Sequence, residues 1–292
     1  MAQLRIGISG WRYAPWRGKF YPKDLRQKDE LAYAGRQFST VEINGTFYSL
    51  QRPESFGAWH DAVPEDFAFA VKGARYITHM RRLTEVETPL ANFFASGVLR
   101  LGKKLGPILW QLPPSFVFDP QRLVRFFDLL PRDTKQAARL AAKHDGKLRH
   151  RAWLKAGANR PIRHALEIRH DSFRDPAFIK LLRRHDIALV VADTVEWPLL
   201  MDATADFVYV RLHGSKQLYA SGYDARDLAV WGRRIRAWLS GEEAKGIHAG
   251  PPAPSRKRDV YVYFDNDAKV RAPFDAKALI EKLNRLGPSR VA

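Results

Sequence analysis

Eight short runs of β-branched and aromatic residues recur along the chain: residues 5–11, 40–48, 67–73, 107–113, 164–170, 187–193, 207–214 and 260–267. They are short and rich in β-branched or aromatic residues, as expected of parallel strands covered on both faces. Between them the apolar spacing widens to the helical period, clearest over 53–63, 119–130, 175–186 and 227–240. Strand and helix in regular alternation predict an α/β fold. A count of eight strands predicts one closed TIM-type (β/α)8 barrel of parallel strands with outer helices, spanning 1–292. Two stretches break the rhythm. Residues 134–158 read as a basic helix with a polar tail inserted before the fifth strand. Residues 241–258, with GPPAPSRKR, read as a mobile Pro/Gly loop.

Within the apolar runs a polar row recurs on one face near each C-terminal end. Side chains alternate along a strand, so in VEINGTFYS Glu42, Asn44 and Thr46 point opposite to Val41 and Ile43. By the same parity Lys72 opposes Val71, Gln111 opposes Trp110, and Glu167 and Arg169 oppose Ile168. Tyr209, Arg211 and His213 form one further face, and Asp193 and Asn266 sit at the ends of their runs. Polar rows inside apolar strands cost free energy unless the groups meet partners. Aimed at the axis of a barrel, they would converge at its C-terminal mouth, where enzymes of this architecture keep their sites.

These groups supply the parts of acid–base chemistry on an anion. Glu42, Glu167 and Asp193 are carboxylates, and His213 and His79, the latter just past the third strand, are imidazoles. The expected roles are Glu42 or Glu167 as base and His213 or His79 as acid. Lys72, Arg169 and Arg211 would hold the anion, and Asn44, Thr46, Gln111 and Asn266 would orient the substrate, with Trp11 stacking on a sugar or base. His144, His150, His164, His185 and His248 lie in basic or loop segments and are expected at the surface.

Composition narrows the partners. The 292 residues carry a formal net charge of +18 and no cysteine, which removes disulfides and thiolate chemistry. No apolar run is long enough to span a membrane, and no secretory signal precedes the first strand, so the expected location is cytoplasmic. From Arg132 to His164 ten basic residues face two acidic ones, a local block suited to phosphate. No dinucleotide, ATP or serine-hydrolase motif is present. The cofactor is unassigned. A divalent metal remains an alternative through His79, His213, Glu42, Glu167 and Asp193, although no ligand spacing is diagnostic and the neighbouring cations compete.

Together the blocks SGWRYAPWRGKFYP, VEINGTFYS, FAFAVKGARYITH, LGPILWQLPPSF, LEIRHDSF, YVRLHGS and VYFDND resemble, in order, the domain of unknown function 72, or YecE-like, family. The resemblance covers nearly the whole chain. It implies a TIM-type barrel related in shape to xylose isomerase and endonuclease IV, and no established reaction. It maps family motif positions onto Trp11, Glu42, Asn44, Thr46, Lys72, His79, Gln111, Glu167, Arg169, His170, Arg211, His213 and Asn266. Phe173 and Asp265 depart from it, standing where the family usually has Trp and often has Asn. The leading expectation is an acid–base enzyme acting on a phosphate-bearing substrate, with phosphodiester hydrolysis on nucleic acid suggested by the basic block. The alternatives are a sugar isomerase or lyase, a nucleic-acid-binding protein without catalysis, and a platform for a protein partner.

Overall fold

In the computed structural model, which describes residues 2–148, 150–214 and 217–285, eight parallel strands close in sequence order into a barrel. They are β1 (Leu4–Ser9), β2 (Thr40–Ile43), β3 (Ala68–Lys72), β4 (Leu105–Gln111), β5 (His164–Glu167), β6 (Ile187–Asp193), β7 (Phe207–Leu212) and β8 (Asp259–Phe264). β1 pairs with both β2 and β8, which leaves no strand edge exposed. Arg149 of the basic block and Ser215 of YVRLHGS lie outside the described residues.

Strand parity sorts the apolar residues into two clusters. Ile6, Ile8, Val41, Val71, Trp110, Leu166, Val191 and Val210 face outward and pack with helix residues such as Phe126, Ile179, Trp231 and Leu279. Ala68, Ala70, Leu109, Ala165, Ala188, Val190, Tyr209, Tyr261 and Tyr263 face inward and fill the barrel. Small residues on β3, β5 and β6 make room for the large rings of β7 and β8. Tyr263 hydrogen-bonds Thr40 through its hydroxyl at 2.8 Å, and its ring lies 4.9 Å from that of Tyr209. The barrel is therefore a packed core below and a polar chamber above.

The outer helices begin where the chain carries cap signals. Asp119, Asp175 and Asp224 accept from backbone N–H groups at the starts of Pro120–Leu129, Pro176–Arg184 and Ala225–Ser240. Proline occupies the first turn of two of these, where its missing N–H costs nothing. Pro53–Asp61 joins them as expected, and helices Glu30–Gln37, Glu87–Ala95 and Ala272–Arg285, less clearly spaced in the sequence, add to the outer layer. No helix among the described residues is long and apolar enough to cross a membrane.

Several local expectations change. The strand expected over 40–48 stops at Ile43, and Gly45–Tyr48 forms a helical turn, so Asn44 and Thr46 do not continue the face of Glu42. The basic stretch is α-helical over Thr134–Ala141, with one short 3-10 turn at Gly146–Leu148. Its remainder is pinned to Glu87–Ala95 through Asp145 N donating to Asn92 and Trp153 N donating to the Ala95 carbonyl. The Gly/Pro segment 241–258 hydrogen-bonds to the body of the barrel. Ala249 N and Gly250 N donate to the Asp202 carboxylate, and Arg258 donates to the Ala205 carbonyl. His164, expected at the surface, is fully buried. It accepts from the Trp110 indole and contacts the Pro131 carbonyl, and burial holds its pKa down to about 3.

The close fit at β1 is testable. A Cβ on Gly7 would lie 1.8 Å from the Thr40 carbonyl oxygen, a backbone atom that cannot swing aside. Gly7→Ala is expected to destabilise by about 3 kcal/mol, the upper part of the usual overpacking range. Urea unfolding should show a lower midpoint with an unchanged slope.

Candidate active site at the barrel mouth

The strand ends deliver their inward side chains to one point. Glu42, Glu167 and Arg211 are fully buried at the ends of β2, β5 and β7, and Asp265 follows β8. The Arg211 guanidinium donates to all three carboxylates: to Glu167 Oε2 at 2.7 Å, Glu42 Oε1 at 2.9 Å and Asp265 Oδ2 at 2.8 Å. Every oxygen of the two glutamates is engaged. Glu42 Oε1 also accepts from Ser9 Oγ, its Oε2 accepts from the Tyr209 hydroxyl at 2.6 Å, and Glu167 Oε1 accepts from Arg169. His213 Nδ1 lies 3.0 Å from Asp265 Oδ2, and His213 is also fully buried.

Burial by itself would raise the carboxyl pKa of Glu167, but Arg211 and Arg169 outweigh it and hold the group well below the usual carboxylate range. Asp265 shifts the same way, burial being overcome by Arg211 and His213. Both therefore stay ionised at neutral pH, and the Arg211 cation is held far above its ordinary range by Asp265, Glu42 and Glu167 against its own burial. Asp267, beside Asp265 and half-buried, is pushed up to about 6 by desolvation and then by the Asp265 charge.

Above this network opens a cavity of about 470 Å³ lined by Phe47, Tyr48, Lys72, Arg75, His79, Met80, Gln111, Arg169 and Tyr219. Its lining carries three cations and no carboxylate. Lys72 Nζ lies 4.4 Å from the centre of the Phe47 ring and, among the described residues, forms no hydrogen bond or ion pair. Desolvation, then repulsion from Arg211, lowers its pKa from 10.5 to about 8. Burial and the nearby Arg169 and Lys72 lower His79 to about 4, so its imidazole is neutral at pH 7. Gln111 Oε1 is buried with no hydrogen-bond partner among the described residues. Arg169 is sandwiched, paired with Glu167 and lying 3.7 Å over the Trp197 ring.

Of the residues expected here, Glu42, Lys72, His79, Gln111, Glu167, Arg169, Arg211 and His213 come together. Others do not reach the cavity. Asp193 shares parity with Leu189 and Val191, turns outward and accepts from the Trp231 indole at 2.9 Å. Asn266 faces the opposite side from Asp265 and donates to Asp275. Thr46 donates to the Lys72 carbonyl and so shapes the end of β3. Asn44 donates to Ser9 Oγ, and Trp11 packs edge-on against Trp59 in a separate hollow beside β1. His170 caps its own turn through Ser172. Ser9, Asp265 and Tyr209 join the network without having been picked as site residues, although parity places all three inward. Tyr219 and Trp197 arrive on loops and Arg75 at the start of the helical turn after β3, where strand parity could not announce them. Among the described residues no group of three His, Asp or Glu side chains is arranged to hold a metal ion, and the Arg211 guanidinium sits between the carboxylates that would have to ligate one.

A parallel eight-stranded barrel with buried ion pairs beneath a cationic mouth is the class that fold and site define together. The chain belongs to the family described as protein of unknown function DUF72, whose model matches residues 5–290. It is 29% identical over 131 residues to the UPF0759 protein YecE of Escherichia coli K12, covering 44% of each chain. Over 118 residues it is 31% identical to the UPF0759 protein YunF of Bacillus subtilis, covering 39% of this chain and 41% of that one. The alignments thus span less than half the length of these curated relatives. DUF72 family proteins from Thermotoga maritima and Enterococcus faecalis share the fold. The first has a TM-score of 0.71 at 24% identity, covering 97% of this chain and 99% of that one. The second has a TM-score of 0.71 at 19% identity, covering 99% and 100%.

Removing Arg211 would leave three buried carboxylates facing one another. Arg211→Met is expected to cost about 3–5 kcal/mol at pH 7. The wild-type contribution of Glu167 and Asp265, whose folded pKa values are depressed, is present above about pH 4 and is lost as pH falls below it. In the variant protonation relieves repulsion, so the stability gap measured by urea unfolding should narrow between pH 7 and pH 4. A gap independent of pH would contradict this account.

Proposed function

We propose that the barrel mouth is the active site of an acid–base enzyme acting on an anionic, phosphate-bearing substrate. The carrying observation is the composition of the cavity lining: Lys72, Arg75 and Arg169 with no carboxylate among them. Such a chamber, low in dielectric at its floor, favours an anion over water more strongly than an exposed patch would. The Arg169 guanidinium is fixed by Glu167 along one edge and by Trp197 on one face, which leaves its other edge to meet phosphate oxygens.

Lys72 is the proton-transfer group in this reading. Its ammonium faces the cavity, and a pKa near 8 lets it give or take a proton close to neutral pH. Glu42 and Glu167 act as positioning residues, since their oxygens are consumed by Arg211, Arg169, Ser9 and Tyr209. His79, neutral at pH 7, and Gln111, with its free carbonyl oxygen, would orient the substrate by hydrogen bonds. Phosphodiester hydrolysis on nucleic acid is one reaction these groups serve: water attacks phosphorus, Lys72 protonates the leaving oxygen, and the lysine regains a proton from the attacking water. Proton transfer in a sugar phosphate uses the same parts.

Lys72→Met tests the reading by calorimetric titration with inorganic phosphate. Phosphate is expected to bind the wild type at pH 7 and to bind the variant at least tenfold more weakly, the loss of one charged hydrogen bond. The same substitution should stabilise the fold at pH 7 by about 3 kcal/mol, since burial disfavours the ammonium by that much. The folded lysine releases its proton earlier than the unfolded one, so wild-type stability gains from this group as pH rises from about 8 to 10.5. The variant should lack that gain. Phosphate affinity unchanged in both Lys72→Met and Arg169→Met would overturn the proposal.

A further inference from the structure

Beside the mouth lies a second cavity of about 290 Å³ that shares Phe47, Tyr48, Arg75 and Met80 with the first. Tyr48, Leu50, Tyr76 and Met80, four of the nine large apolar side chains exposed among the described residues, converge on it. Apolar surface gathered this way normally marks a binding surface. Two cations attend the rings: Arg75 lies 5.9 Å from the centre of Tyr48, and Lys147, which also lies 4.0 Å from Asp145, is 5.2 Å from the centre of Tyr76. No carboxylate lines either cavity.

The backbone between the cavities is unusual. Tyr76–Met80 forms a single turn of π-helix, a rare geometry frequent at functional sites, and presents His79 to the mouth and Tyr76 to the second cavity. Arg82, Leu83 and Glu85 follow with positive φ, which side-chain-bearing residues adopt only at a cost. The basic segment before β5 supplies Lys147 and is anchored so that its cation reaches this spot.

We infer that this second cavity is a subsite for the aromatic base of a nucleotide unit whose phosphate occupies the mouth. The inference rests on the proposed anion site and narrows its substrate class. A flat ring joined to phosphate matches both features at once: aromatic rings and Met80 for the base, and Arg75, Lys72 and Arg169 for the charge. Base–aromatic contacts with flanking cations are the recurrent way in which proteins hold single nucleotides and single strands.

Calorimetric titration of the full chain with inorganic phosphate, ribose 5-phosphate, adenosine 5′-monophosphate and a six-residue oligothymidylate tests it. The mononucleotide should bind about tenfold more tightly than ribose 5-phosphate, the gain of one base–aromatic stack. Tyr76→Ala should abolish that advantage while leaving phosphate binding unchanged, and Tyr76→Phe should restore it. Tyr76 is exposed, so the substitutions leave the core intact; thermal melts check this. Oligothymidylate binding more tightly than the mononucleotide, weakening with salt and with Lys147→Ala, would identify a single strand as the source of the unit. Equal affinity would identify the free nucleotide. Phosphate binding with no gain from the base overturns this inference alone. Failure of phosphate itself to bind overturns the anion site and this inference together.

Discussion

One guanidinium organises the upper half of this barrel. Arg211 is fully buried and shared among Glu42, Glu167 and Asp265, which come from three other strand ends. A charge in that position would be intolerable alone, and so would any of the carboxylates. Each is stable there only because the others are. The network therefore constrains four strands to end at one height, since displacing any of them would unpair a buried ion.

The lower barrel transmits the same constraint by packing. Tyr209 lies one layer below Arg211 on β7 and donates to Glu42, while its ring leans on Tyr263, whose hydroxyl meets Thr40 on β2. Gly7 lets the Thr40 backbone come up close against β1. The stiffness serves the mouth. Glu167 pins Arg169, Thr46 holds the end of β3 through the Lys72 carbonyl, and the Lys72 ammonium is left over the Phe47 ring with no hydrogen bond or ion pair among the described residues. The buried charges are satisfied, and those facing the cavity keep capacity for a ligand.

Much of this could be read along the chain. The period of two identified eight strands and put Glu42, Lys72, Gln111, Glu167 and Arg211 on the inner face, because a closed parallel barrel has only two sides to choose from. The same rule, applied one residue further, excludes Asp193 and admits Asp265; both were misjudged by attending to residue type at a strand's end instead of parity. Asn44 and Thr46 were misread because the β2 strand gives way to a helical turn after Ile43. Asn44-Gly45 favours such a turn, and Thr46 Oγ1 then ties it to the Ile43 and Lys72 carbonyls. Loop residues such as Tyr219, Trp197 and Lys147 carried no periodic signal at all.

Alternation of side chains, a local property of extended backbone, was enough to settle the barrel and to point a set of acids and bases at one axis. Which of them could still react was a different matter. Glu42 and Glu167 looked like free carboxylates in the sequence, yet their oxygens are spent on Arg211, Arg169, Ser9 and Tyr209. Lys72 looked like one cation among three and emerged as the group with an open position and a lowered pKa. Hydrogen-bond satisfaction and desolvation depend on distances between strands far apart in the chain, so only closure of the barrel could assign them.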